Sequence, residues 1–147
     1  MNKIDNPVEI STIVGPVIRD DVTAEFFQGT AKGQLLLRRC VNGHLSEPAV
    51  SQCTRCASTD LSWAPSLGTG TIVSFAIVHR RGSTDRLPAR VVLAVVELEE
   101  GPWWYSQVAD AEPDRVTIGA RVNVKFCRSD DQHEAVPVFV LASTSPM

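Results

Sequence analysis

Cys40, His44, Cys53 and Cys56 are the residues of this chain best placed to do chemistry together. Written out they run Cys40-x3-His44-x8-Cys53-x2-Cys56, two short ligand pairs about a dozen residues apart. A C-x2-C pair turns two thiolates toward one point, and a second pair at this distance completes a tetrahedral site of the kind that holds zinc. A symmetrical site would repeat C-x2-C, but the first half here is Cys40-Val41-Asn42-Gly43-His44. His44 is the nearest residue able to stand in, and neutral imidazole is an ordinary zinc ligand. The chemistry expected of four protein ligands is structural, with no open position for water. Two blander readings stay open at this stage: a metal-free hairpin whose site has decayed, or a disulfide.

The remaining reactive side chains do not assemble into a catalytic set. Cys127 lies between Phe126 and Arg128 with no histidine near it in sequence, and reads as a small apolar strand residue. His79 precedes Arg80-Arg81 at a strand end and reads as solvated, though it could meet an anion. His133 stands among Asp130, Asp131 and Glu134 and reads as surface. Gly68-Thr69-Gly70 leads into a strand rather than a helix, so it is a turn and not a phosphate loop. Glu97, Glu99 and Glu100 surround a hairpin and read as a solvated rim rather than an opposed carboxylate pair. Of Trp103 and Trp104, neighbours in a strand, one should be core and the other outward. Stacking of bases on the outward one is the competing, nucleic-acid-binding alternative.

The elements that must position these residues are mostly strands. Residues 1–20 mix Pro7, Gly15 and Pro16 with isolated β-branched residues and read as an extended arm. A helix is expected next, with Asp21 as N-cap, Val22, Phe26 and Phe27 on its apolar stripe, and Gly29 and Gly33 ending it. Its two phenylalanines need cover, from this chain's ribbon or from a partner. Residues 34–39 lead as a strand into Cys40, and Leu61-Ser62-Trp63 closes a rubredoxin-like zinc ribbon built of two hairpins. The segment is too short to bury a core of its own, so the metal should supply much of its folding free energy.

Five strands follow, over residues 70–79, 90–98, 103–108, 122–126 and 136–141, with a longer connection over 109–119 that has room for one helical turn. That pattern fits an OB-type barrel. In the last strand Val136, Val138 and Val140 take one phase and Phe139 and Leu141 the other. Both faces want cover, and we expect Phe139 and Leu141 on the outer one, available to a partner. The fold class is therefore mainly β: an N-terminal helix and rubredoxin-like zinc ribbon followed by a five-stranded OB-type barrel. The divisions expected are arm 1–20, helix and ribbon 21–66, and barrel 67–147.

The whole-chain properties narrow the class. A chain of 147 residues with 44% hydrophobic content has room for one domain, or for an appendage and one core. Its formal charge of -3 has no concentrated basic segment, which argues against nucleic acid as a partner. Secretory and membrane-spanning signals are absent from the sequence, so no membrane partner is expected and the location expected is cytoplasmic.

As an ordered set these residues resemble a known bacterial and archaeal family, over Glu25 to about Arg128. The matching stretches are Glu25-Phe26-Phe27-Gln28-Gly29, Leu36-Leu37-Arg38-Arg39-Cys40 with Gly43-His44-Leu45, and Cys53-Thr54-Arg55-Cys56. They continue through residues 68–80, 95–102 and 118–122. The family joins a helix and zinc ribbon to an OB-fold and is found beside thiolase-like proteins and acyl-CoA enzymes. Its members usually carry a cysteine just before the Gly-His pair, which this chain lacks, so the resemblance implies His44 as its replacement. Around the second knuckle several members have proline and glycine where Thr54 and Ala57 stand here. The resemblance implies a non-catalytic subunit holding structural Zn2+. It implies a hetero-oligomer with thiolase-like or ketosynthase-like subunits of an acyltransferase complex, with C-acetylation of a phloroglucinol-type polyketide as the narrower expectation. A steroid side-chain retro-aldolase, or another acyl-CoA enzyme, is the alternative partner.

Overall fold

The computed structural model describes residues 16–85 and 87–142. The proposed arm thus falls mostly outside the described residues. A short helix, α1 (Ala24–Ala31), leads into a three-stranded sheet of β1 (Leu36–Cys40), β2 (Leu45–Ser46) and β3 (Leu61–Pro65), ordered β2-β1-β3. Five further strands form a closed barrel: β4 (Thr69–Arg80), β5 (Ala89–Leu98), β6 (Trp103–Val108), β7 (Arg121–Cys127) and β8 (Val136–Leu141). A 3-10 turn, Pro113–Arg115, lies in the connection from β6 to β7. The order β4-β5-β6-β8-β7, with β6 parallel to β8 and every other pairing antiparallel, is that of an OB-fold. Among the described residues no helix is long and apolar enough to cross a membrane.

The helix begins later than its sequence suggests. Asp20, not Asp21, organises the entry: its Oδ1 accepts the backbone N–H of Val22 at 3.0 Å and of Thr23 at 2.9 Å. A turn over 21–23 comes first, and helical hydrogen bonding starts with the Phe27 N–H donating to the Thr23 carbonyl. Nor does Gly29 end the helix. It lies inside it, where a Cβ would stand 2.6 Å from the Leu36 side chain, so glycine is there to let β1 approach. Gly33, at φ +78°, makes the actual exit.

One core joins helix, ribbon and barrel. Leu35 and Leu37, flanking the start of β1, are buried with Ile72, Val92, Val96, Leu98, Val122 and Phe139 of the barrel. β6 and β8 meet at a single register pair, Val108↔Phe139. Beside that narrow contact α1 packs down, Phe26 stacking on Trp104 with centroids 5.9 Å apart. Phe26 is thus covered by the barrel together with the Leu35 and Leu37 core at the base of the ribbon. Tryptophan pairing follows the alternation expected, with Trp103 51% exposed and Trp104 half-buried.

The last strand corrects the expectation made for it. Phe139 is fully buried and faces the barrel interior, and Leu141 packs on the same core. The other phase, with Val138 and Val140, packs with Ala109 and Cys127 in a small cluster of its own. Phe139 and Leu141 are therefore not available to a partner.

Polar ties hold the segments in place. Glu100 accepts from Ser66 Oγ at 2.9 Å and from the Leu67 N–H at 2.7 Å, fastening the ribbon-to-barrel connection to the β5–β6 turn, while Glu99 pairs with Arg121 at 2.8 Å. Before the helix, Arg19 makes a two-pronged pair with Glu134 at 2.7 and 3.0 Å, and the Glu134 N–H donates to the Val17 carbonyl. The Arg19 guanidinium holds the Glu134 carboxyl below its usual range, against the opposing pull of burial. A depressed folded pKa means stability that is present above the ordinary glutamate value and lost as pH falls through the folded one. Glu134→Gln should lower the melting temperature at pH 7 and make no difference once the wild-type carboxyl is protonated, well below pH 4. Thermal melts of the two proteins at both pH values check this, and a penalty that persists in acid would remove the pair from the account.

Candidate metal centre and the groove beside it

The four candidate ligands come together. One donor atom from each of Cys40, His44, Cys53 and Cys56 lies within 4.8 Å of all the others. Cys40 Sγ is 3.6 Å from His44 Nδ1 and 3.7 Å from Cys56 Sγ, and Cys53 Sγ is 3.6 Å from His44 Nδ1. A tetrahedron with zinc–sulfur bonds of about 2.3 Å and zinc–nitrogen bonds of about 2.05 Å has S···S edges of about 3.8 Å and S···N edges of about 3.6 Å. These separations fit one four-coordinate ion, with His44 facing inward through Nδ1. The cysteines are thiols rather than a disulfide.

Local structure explains why the donors converge. In the first knuckle the Cys40 N–H donates to the His44 carbonyl and the Gly43 N–H to the Cys40 carbonyl, a turn that needs Gly43 at φ +88°. The second knuckle is not a strand hairpin, as the sequence suggested, but a loop closed by the Ala57 N–H on the Cys53 carbonyl and the Cys53 N–H on the Ser58 carbonyl. Ala57 sits at φ 62°, a left-handed conformation that costs a non-glycine residue about 1 kcal/mol.

Donors surround the sulfurs. Cys40 Sγ accepts the N–H of Asn42 and of His44 at 3.3 Å, and Cys53 Sγ accepts that of Arg55 at 3.3 Å and of Cys56 at 3.5 Å. Asn42 Nδ2 donates to Cys56 Sγ at 3.3 Å, a contact the spacing of cysteines alone did not reveal. Burial pushes the Cys53 thiol up, but the N–H groups of Arg55 and Cys56, with help from His44 and Cys56 side chains, bring it down to about 6. Asn42 foremost, then the Ser58 N–H, lowers Cys56 as well. These are groups poised to be thiolates, the form a metal binds. The His44 ring, donating to the Cys56 and Cys53 sulfurs, has its pKa raised, so a metal at this site competes with a proton for the imidazole.

The other sequence candidates stay apart from this centre. His133 Nδ1 pairs with Asp130 Oδ1 at 2.6 Å on the surface. Cys127 packs against the Val138 cluster, and Glu99 and Glu100 are structural ties. A feature missed in the sequence lies between α1, the 47–49 turn and β6. Phe26, Pro48, Trp63, Trp103, Trp104 and Tyr105 line an apolar groove of about 460 Å3. Trp63 is fixed there by its Nε1–H donating to Glu25 at 2.9 Å and by Arg38 lying 4.2 Å over its ring.

Comparison with known proteins adds identity to this geometry. Residues 63–127 match the family model described as ChsH2, C-terminal OB-fold domain. The chain is 33% identical over 107 residues to a 3-oxo-4,17-pregnadiene-20-carboxyl-CoA hydratase alpha subunit of Mycobacterium tuberculosis, of whose length it spans 33%. A solved structure described as an Ltp2-ChsH2(DUF35) aldolase superposes with a TM-score of 0.72 at 26% identity, over 85% of this chain and 98% of that one. A Sulfolobus solfataricus protein of the DUF35 family shares the fold, with a TM-score of 0.58 at 15% identity. Against a DUF35 domain-containing scaffold protein of Pyrococcus furiosus the identity is 32% over 93 residues, which is 63% of this chain and 68% of that one. Aligned to that relative along more than two thirds of the relative's length, this chain belongs to the family of DUF35 domain-containing scaffold proteins.

Proposed function

We propose that this chain is a zinc-stapled, non-catalytic scaffold subunit that docks on a thiolase-like enzyme acting on acyl-CoA substrates. The observation that carries the reading is its fit to 98% of a chain of an Ltp2-ChsH2(DUF35) aldolase, at a TM-score of 0.72. Cys40, His44, Cys53 and Cys56 hold the ion, which supplies cross-linking of the ribbon rather than a reactive centre. The ribbon keeps Trp63 and the 47–49 turn against the barrel, giving the partner a rigid surface. Among partners, an enzyme cleaving or hydrating a steroid side-chain CoA ester is favoured, because the named relatives are a hydratase subunit and an aldolase. The expectation of C-acetylation of a phloroglucinol-type compound draws no support from these relatives.

Co-expression with a thiolase-like protein encoded nearby tests the reading. The two should co-elute from size exclusion, and acyl-CoA cleavage or transfer should require the pair. Activity from the purified single chain, or a chain that never co-elutes with such a partner, would sink it.

A further inference from the structure

β6 is left without a strand neighbour along most of one edge. The Leu98 N–H donates to the Pro102 carbonyl, so by the alternation of an antiparallel pair the backbone groups of Trp104 and Ser106 also face β5. Those of Trp103 and Tyr105 face the other way, in the phase in which Ala109 donates to the Phe139 carbonyl of β8. β8, however, meets β6 only at Val108↔Phe139. Among the described residues nothing pairs with the Trp103 and Tyr105 N–H and carbonyl groups on that side. The apolar groove runs along this edge. Neighbours in a strand point to opposite faces, so a hollow lined by Trp103, Trp104 and Tyr105 together lies beside the strand and not over one face of it. Val22, Phe26 and the 47–49 turn wall it in. Val22 is 84% exposed and Tyr105 71%, which leaves apolar surface open at its mouth.

We propose that this groove takes an extended segment of a partner protein, which adds to β6 as a further strand. The free backbone donors and acceptors of Trp103 and Tyr105 are matched by another extended backbone and not by a hydrocarbon ligand. Edge strands that must stay unpaired are guarded by lysine, proline or a bulge. β6 reads Trp103-Trp104-Tyr105-Ser106-Gln107-Val108 and pairs with β5 in unbroken register, so it carries none of these guards. The flanking walls admit one chain at the usual strand spacing of about 4.8 Å, but not the edge of a second barrel with its neighbours. One phase of the added strand falls beside Trp103 and Tyr105 and the other beside Trp104, which suits β-branched side chains. Glu47 is the one charged residue lining the groove; it is exposed and makes no salt bridge among the described residues. A lysine or arginine at one end of the segment completes the fit. The inference does not require the partner to be thiolase-like.

Amide exchange of the full chain, with and without a capped hexapeptide of alternating valine and threonine ending in lysine, reads the edge residue by residue. In the chain alone the Trp103 and Tyr105 N–H groups should exchange fast while those of Trp104 and Ser106 exchange slowly. Saturating peptide should slow Trp103 and Tyr105 at least about tenfold, with a dissociation constant of order 100 μM. Peptides N-methylated at alternate residues should separate by phase: one set binds as before, and the other, whose lost donors face β6, binds at least about tenfold more weakly. Tyr105→Pro, which removes an edge N–H at a position where proline is tolerated, should abolish binding that Tyr105→Ala keeps in part. Glu47→Lys should weaken it about threefold at low salt and less at high salt. Slow exchange at Trp103 and Tyr105 before any peptide is added overturns the proposal, because the edge is then paired within the chain or, where protection grows with protein concentration, by a second copy. So do equal affinities of both N-methylated peptides, which would leave a groove for apolar matter of any backbone, and so does the absence of binding at millimolar peptide. Co-elution with a thiolase-like enzyme is a separate measurement, so the scaffold reading stands or falls apart from this one.

Discussion

Cys53→Ser is expected to strip the chain of its metal and unfold the far half of the ribbon while the barrel stays folded. Cys53 is 1% exposed and its sulfur receives two backbone N–H groups, so it is both a proposed ligand and the centre of its own knuckle. Loss of an outer-shell partner of a metal site typically costs ten- to a hundredfold in affinity, and losing a thiolate should exceed the upper figure. Without the ion, residues 41–60 retain only the two-residue β2 and a few turn hydrogen bonds. β1 is different, because Leu35 and Leu37 are anchored in the barrel core. The expected result is zinc falling from about one per chain to near none by elemental analysis. Amide exchange should become fast over 41–60 and stay slow over β4, β5 and β7. Asn42→Ala, which removes the donor to Cys56, should weaken zinc about tenfold without unfolding anything. Protein purified without chelator that holds no zinc would end the metal reading, and full zinc in His44→Ala would remove His44 from it.

What could be read from the sequence was whatever depends on near neighbours. The candidate ligands stand on turns of four or five residues, so spacing alone sufficed to bring Cys40, His44, Cys53 and Cys56 together as a set. β6 and β8 begin and end where their apolar runs do, at Trp103–Val108 and Val136–Leu141. Features that depend on distant chain were hidden. Asn42 matters through Cys56, fourteen residues away, and Gly29 through Leu36 packing back on the helix. The helix entry was misplaced by two residues, at Asp21 rather than Thr23, because Asp20 first closes a turn over 21–23 that local composition does not distinguish from a helix start. The phase of β8 was the largest miss. Its two faces are both apolar, so alternation carried no information on which pointed inward.

Phe139→Ala should be the most destabilising single truncation in the barrel, and it tests that phase directly. The ring is fully buried, and the strand register sets it opposite Val124 of β7 and beside Val108 of β6. Removing a buried phenylalanine loses its transfer free energy and leaves a cavity that closed strands cannot easily collapse, about 3–5 kcal/mol in total. Domains of this size are stable by only ~5–15 kcal/mol, and each kcal/mol moves the melting temperature by about 2–4 °C, so a drop of roughly 10 °C is expected. Tyr105→Ala, at a side chain 71% exposed, should shift the melt by no more than about 2 °C. Had Phe139 lain on the outer face as the sequence suggested, the two substitutions would behave alike in the isolated chain, and Phe139→Ala would act only when a partner was present. Thermal melts of the three proteins without partner separate these cases. A small loss at Phe139 would mean that the register of β8 in the barrel is wrong by one residue, because a one-residue slip exchanges its two faces.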